Sequence, residues 1–175
     1  MVYLYYKFHI ESIITSIHYH IYKVADMSNT YTQIHIQTVF SPQFYAALID
    51  ADWKDSLHKY MTVIIQNHGH KVLAINSMPD HLHIFFGMRP NESLSELMQF
   101  VKKDSSKWIN TQGFCNPKFH WQEGFGGFSY SKWDVNKIIR YVLNQEEHHK
   151  KEKFLDEYRR LLKQFDVEYN EAYFQ

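Results

Sequence analysis

Between Lys71 and Met88 the chain carries two runs rich in β-branched and aromatic residues, Lys71–Ser77 and His81–Met88, separated only by Met78-Pro79-Asp80. Three residues are too few for a crossover, so the two runs can pair only as an antiparallel hairpin. The flanking segments must build around that hairpin. Thr30 to Phe40 alternates, with Tyr31, Gln33, His35, Gln37 and Val39 on one face and Thr32, Ile34, Ile36, Thr38 and Phe40 on the other; this is a strand, ended by Ser41-Pro42. From Asp52, residues Trp53, Leu57, Tyr60, Met61, Ile64 and Ile65 recur at helical spacing, and Gly69 stands at the end. Ser93 with Glu96 three residues on forms a capping box that opens a second helix through Leu94, Leu97, Met98 and Val101 to about Ile109.

Thr111 to Phe125 reads as loop and Phe125 to Tyr130 as a glycine-relaxed strand. Ser131 is placed to cap a helix from Lys132 to about His149, and Phe154, Leu155, Tyr158, Leu161, Leu162 and Phe165 mark a last amphipathic helix. The order β-α-β-β-α-β-α-α predicts an α+β fold of the ferredoxin-like, split βαβ type. Its sheet is largely antiparallel, with helices on its faces and C-terminal helical additions.

Length adds one domain, and a 45% apolar fraction is ample for its core. The single cysteine, Cys115, excludes a disulfide framework and a multi-cysteine zinc site. No run approaches the ~18 apolar residues of a membrane span. Nineteen basic residues balance nineteen acidic ones, so no global field marks a polyanionic partner. The balance is uneven, however: residues 88–163 carry 14 basic and 10 acidic residues, and Asp166 to Glu171 is purely acidic. Any polyanion-binding face is therefore local.

Met1 to Asp26, crowded with Tyr, Ile and His, shows no clear period and no secretory pattern. The expected organisation is an N-terminal extension over 1–26 with Met27 as the start, a catalytic domain over 27–149, and a C-terminal helix and acidic tail over 150–175. The expected location is cytoplasmic in a prokaryote.

The candidate chemistry centres on His81-Leu82-His83. Residues i and i+2 of a strand share a face, so both imidazoles project together and can bind one divalent ion. His18/His20 and His68/His70 repeat the spacing elsewhere in the chain, so the pair alone also fits a structural role. Tyr141 and Gln145 stand four apart on the predicted 132–149 helix and share one face; taken singly, each reads as an ordinary half-buried or solvated residue. Lys102, Lys103 and Lys107, with Arg89 just before their helix, are either a solvated face or phosphate contacts. Trp108, Trp121, Phe125 and Phe128 are core residues or stacking platforms for unpaired bases. His35 and His120 read as structural histidines.

The combination Met78-Pro79-Asp80-His81-Leu82-His83-Ile84 with Tyr141-Val142-Leu143-Asn144-Gln145 closely resembles the single-tyrosine HUH (His-hydrophobe-His) transposases of the insertion-sequence-200/605 family, from about Thr30 to about Glu147. The resemblance implies that His81, His83 and Gln145 bind a divalent metal, Mg²⁺ or Mn²⁺, and that Tyr141 is the nucleophile. It implies cleavage and rejoining of single-stranded DNA through a 5′-phosphotyrosine link, with hairpin element ends as substrate. It also implies a homodimer, in which the tyrosine helix of one subunit can complete the His–His site of the other, and association with the nucleoid when bound to DNA. Arg89, Lys102, Lys103 and Lys107 become DNA contacts. One departure stands out: Ser41 to Ala47 carries no basic residue where family members usually do. Two other functions fit the residues, a domesticated repeat-associated tyrosine transposase that processes genomic hairpins and a non-catalytic ferredoxin-like nucleic-acid binder.

Overall fold

The structure, a computed structural model, describes residues 30–43 and 48–171. Every strand and helix among the described residues lies in the compact unit Gln33–Gln175. The reading of 1–26 as an extension with Met27 as the start lies outside the described residues, as does the part of the 41–47 segment from 44 to 47.

Four strands, β1 (Ile34–Phe40), β2 (Lys71–Ser77), β3 (Leu82–Met88) and β4 (Gly126–Tyr130), form one sheet in the order β2-β3-β1-β4. Every neighbouring pair is antiparallel. With α1 (Ala51–Asn67) between β1 and β2 and α2 (Leu94–Gln112) between β3 and β4, this is the ferredoxin-like α+β plan. The hairpin register Ser77↔Leu82 follows from the short Met78–Asp80 connection. Within it the Met78 N–H donates to the His81 carbonyl, so His81 closes the turn and the strand starts at Leu82, one residue later than the sequence suggests. β1 likewise begins at Ile34 rather than Thr30, because its partner β3 ends at Met88, paired to Ile34.

The two sheet faces carry separate layers. On one, Phe40, Leu82, Ile84 and Phe86 pack against Trp53, Leu57, Met61 and Ile65 of α1 and Leu97, Met98 and Val101 of α2. The Ser93/Glu96 capping box is present, and α2 runs to Gln112, beyond the expected Ile109, until Gly113 ends it at φ 72°. The opposite face carries the C-terminal helices. There Ala74 and Phe85 meet Val135, Ile138 and Val142 of α3 (Val135–Leu143). Val39 and Phe128 meet Phe154, Leu161 and Leu162 of α5 (Phe154–Gln164). A Cβ at Gly126 would lie 2.5 Å from the Tyr158 ring, so only glycine lets α5 lie this close to β4. This explains one of the glycines around 124–127 by packing.

The largest correction concerns the helix expected from Lys132 to His149. It is three pieces: a 3₁₀ turn over Lys132–Asp134, α3, and a short α4 (Gln145–His149). The break falls at Asn144 (φ −97°, ψ 25°), where the Leu143 carbonyl accepts from the Asn76 side chain at 3.1 Å instead of continuing the helical ladder. Ser131 makes no side-chain cap to the backbone; its hydroxyl donates to Asp134 instead. Among the described residues no helix is long and apolar enough to cross a membrane.

Candidate active site

Because Leu82, Ile84 and Phe86 fill the α1/α2 layer, His81 and His83 must point into the other layer. There their rings lie 5.1 Å apart, both fully buried. α3 brings Tyr141 to within 6.1 Å of the His83 ring, centre to centre. The break at Asn144 re-aims the chain so that Gln145 is also buried at this point.

Two residues that the sequence reading did not single out complete the cluster. His149 comes from the end of α4, and Glu157 from α5 is fully buried at the centre. Glu157 Oε2 lies 3.0 Å from His149 Nε2, 3.5 Å from His83 Nε2 and 3.8 Å from His81 Nε2. Its Oε1 accepts from the Tyr141 hydroxyl and, at 3.2 Å, from the Gln145 amide. One carboxylate thus faces three imidazoles with one oxygen and the tyrosine with the other. A trace was present in the sequence. Glu157 falls three residues after Phe154 and four before Leu161, on the apolar stripe of its helix, where an unpartnered carboxylate is costly.

The outer contacts orient the rings. His81 Nδ1 lies 2.7 Å from an Asp80 carboxylate oxygen and His149 Nδ1 lies 2.9 Å from the Glu152 carbonyl. Both partners are acceptors, so each Nδ1 carries a proton; the His81 ring turns its Nε2 inward, and His149 aims its Nε2 at the Glu157 carboxylate. His83 Nδ1 contacts the Gln37 side-chain amide at 2.9 Å, which in turn accepts from the Tyr130 hydroxyl at 2.8 Å.

The electrostatics agree with a site built to hold a cation. Burial drives His81 down to about 4, against the pull of Asp80, so its ring is neutral near neutral pH. Burial would raise Glu157, but the facing imidazoles of His149 and His83 and the Tyr141 hydroxyl outweigh it and hold the carboxyl well below its usual range. Burial would lower His149, and its contact with Glu157 reverses the direction. Burial and then Glu157 raise the Tyr141 phenol, with Arg160 opposing. Arg160 donates to the Tyr141 hydroxyl at 3.3 Å and is held by Glu152 at 2.9 Å.

Among the described residues, eight buried side-chain polar atoms have no hydrogen-bond partner, and five belong to this cluster: His81 Nε2, His83 Nε2, His149 Nε2, Gln145 Oε1 and Glu157 Oε2. Buried polar atoms left unmatched are costly, and a divalent metal would engage the three imidazole nitrogens and the carboxylate oxygen, which lie within 4.8 Å of one another. The donor chemistry therefore fits such an ion. A cleft of about 310 Å³ opens beside Tyr141, with Tyr130, Lys137 and Arg160 on its walls.

The four basic residues suggested by sequence are not brought to this site. Lys102, Lys103 and Lys107 ride on α2, in the layer across the sheet. The Lys102 ammonium is tied to the carbonyls of Gln122 and Gly124, while Lys103, Lys107 and Arg89 are exposed. Trp121 and Phe128 are buried, Trp108 stacks on Tyr60, and Phe125 packs against the α1/α2 core. His35 is buried beside Phe85 and His120 is exposed.

The family model described as "Transposase IS200 like" matches residues 30–145, about two thirds of the chain. No curated protein matches it in sequence. Among solved structures, a Deinococcus radiodurans R1 protein assigned as a transposase superposes with a TM-score of 0.55 at 15% identity, covering 69% of this chain and 96% of that one. A REP-associated tyrosine transposase bound to a REP hairpin superposes with a TM-score of 0.53 at 12% identity, covering 71% of this chain and 73% of that one. These likenesses establish the fold.

Proposed function

The chain belongs to the IS200-like transposase family, and on that footing we propose that it cuts and rejoins single-stranded DNA through a 5′-phosphotyrosine bond to Tyr141, with His81, His83 and Gln145 holding Mg²⁺ or Mn²⁺. The observation that carries this reading is the meeting of the Tyr141 hydroxyl with the inward, unpartnered Nε2 atoms of His81 and His83 around one buried carboxylate.

A strand can be cut without losing bond energy only if a protein nucleophile keeps the phosphate ester. Tyr141 is that nucleophile. Its phenol is held protonated at rest and donates a hydrogen bond to Glu157 Oε1; the carboxylate is much the weaker base, so the proton crosses only as the P–Oη bond forms. Attack of Tyr141 Oη on phosphorus forms the P–Oη bond and breaks P–O3′. The phenolic proton passes to Glu157, and the released 3′ oxygen takes a proton from solvent. Rejoining reverses these steps. Bound at the histidines, a divalent metal supplies Lewis-acid charge to the phosphate. Arg160 and Lys137, on the cleft beside Tyr141, orient the same phosphate electrostatically. The exposed Lys103, Lys107 and Arg89 would contact DNA away from the reacting bond.

Hairpin ends are the proposed substrate, and the solved REP-hairpin complex of a similarly folded protein supports that choice. The same likeness favours, as a second reading, action on dispersed genomic hairpins rather than on the ends of a mobile element. In the cell the protein would then be associated with the nucleoid when bound to DNA. The test is a labelled single-stranded hairpin oligonucleotide incubated with protein and Mg²⁺ or Mn²⁺. The expected products are an upstream fragment ending in a free 3′-hydroxyl and a downstream fragment linked to the protein through its 5′-phosphate, both lost on chelation; cleavage that survives chelation, or two free fragments, would refute the reading.

A homodimer is the proposed assembly. Tyr141 faces the His pair of its own chain, so the parts of one site are present within one subunit. Mixing inactive His81→Ala/His83→Ala protein with inactive Tyr141→Phe protein under subunit exchange is therefore expected to restore no DNA adduct. Restoration would mean that the tyrosine helix serves the neighbouring subunit.

A further inference from the structure

We propose that His149 and Glu157 are themselves metal ligands with His81 and His83, which makes the site selective for first-row transition-metal dications, Mn²⁺ among them, over Mg²⁺. This rests on the reading of the His pair as a metal site and adds two ligands from beyond the 30–145 segment that the family model matches.

Four donor atoms, one from each of His81, His83, His149 and Glu157, lie within 4.8 Å of one another. The three imidazole separations from Glu157 Oε2 run from 3.0 to 3.8 Å. With metal–ligand bonds of ~2.0–2.2 Å, neighbouring donors around one ion stand about 3 to 3.6 Å apart and opposite ones about 4 to 4.4 Å, so side-chain shifts of a few tenths of an ångström bring the cluster to the size of a coordination shell. Hydrogen bonding leaves His81 Nε2, His83 Nε2, His149 Nε2 and Glu157 Oε2 without a well-formed partner. The Nδ1 proton of His81 is committed to Asp80, so its neutral ring offers Glu157 Oε2, 3.8 Å away, a lone pair and no donor. His83 is held differently: Tyr130 donates to the Gln37 oxygen, so the Gln37 nitrogen donates to His83 Nδ1 and the ring proton sits on Nε2, 3.5 Å from Glu157 Oε2, to be released when a metal binds.

Three inward imidazole nitrogens and a carboxylate oxygen are a ligand set, and outer hydrogen bonds of this kind are what hold ligating histidines. Imidazole-rich sets suit Zn²⁺ and the other late first-row dications and bind Mn²⁺ more weakly, whereas Mg²⁺ prefers oxygen ligands and water. With Gln145 as the fifth ligand, a six-coordinate ion keeps one position for a phosphate oxygen.

The test uses Co²⁺ as an optical probe on the full-length protein, read by visible absorption and by competition with Mg²⁺. The expected result is one Co²⁺ per chain, not displaced by a large excess of Mg²⁺. His149→Ala and Glu157→Gln should each weaken Co²⁺ binding by more than the ~10–100-fold seen when only an outer partner of a ligand is lost. His149 is half-buried at the end of a short helix, so its variant keeps the test usable where Glu157→Gln fails to fold. Wild-type affinity in the His149→Ala variant, together with lost binding in His81→Ala, would overturn the added ligands and leave the His-pair site standing. Co²⁺ binding that survives His81→Ala, or none in the wild type, would overturn the metal site of the proposed function as well.

Discussion

His81→Ala and His83→Ala should each abolish strand cleavage while leaving binding of a DNA hairpin largely intact. Both imidazoles are fully buried and aim an unpartnered Nε2 at the same point, so neither has a substitute within reach. Charge stabilisation by a metal is worth several kcal/mol, and each ~1.4 kcal/mol is a factor of ten in rate. The expected loss is about 10³-fold or more in the cleavage rate, measured by single-turnover gel assay. Retained hairpin affinity in the same samples separates this from unfolding. Cleavage at near the wild-type rate in either variant would show that the pair is structural.

Glu157→Gln should lower cleavage by roughly 10²–10⁴-fold, the usual contribution of a positioned acid–base group. The amide keeps the size of the side chain and can still meet the Tyr141 hydroxyl, but it cannot take the phenolic proton. The rate against pH decides between a base and a packing role. Removing a base should leave the residual rate rising with pH, because hydroxide then does the work of Glu157. A variant that is merely misfolded would be slow without acquiring that slope.

Most of this architecture is legible in the sequence because it rests on local rules. The three-residue Met78–Asp80 connection forces the β2–β3 hairpin, Ser93 and Glu96 announce the start of α2, and the alternation around Leu82 places both histidines on one face. What stayed hidden depends on contacts between distant segments. The helix break at Asn144 is made by the Asn76 side chain capturing the Leu143 carbonyl, a contact between residues 67 positions apart. Without that break Gln145 would simply continue the helix of Tyr141. Glu157 looked like one more polar residue on an amphipathic helix, and its role emerges only when α5 is laid across β4, which needs Gly126. The lysines of α2 misled for the opposite reason. A run of like charges on a helix shows which way the helix faces solvent, and here that solvent face is across the sheet from the site.

The atom that takes the DNA defines the chemistry. Incubating the protein with a single-stranded hairpin oligonucleotide and Mn²⁺, trapping the product and mapping it by peptide mass spectrometry tests this directly. The expected result is a phosphodiester-linked nucleotide on the peptide that contains Tyr141, and no adduct at all in Tyr141→Phe. An adduct carried by a different residue, or one formed undiminished in Tyr141→Phe, would contradict the mechanism.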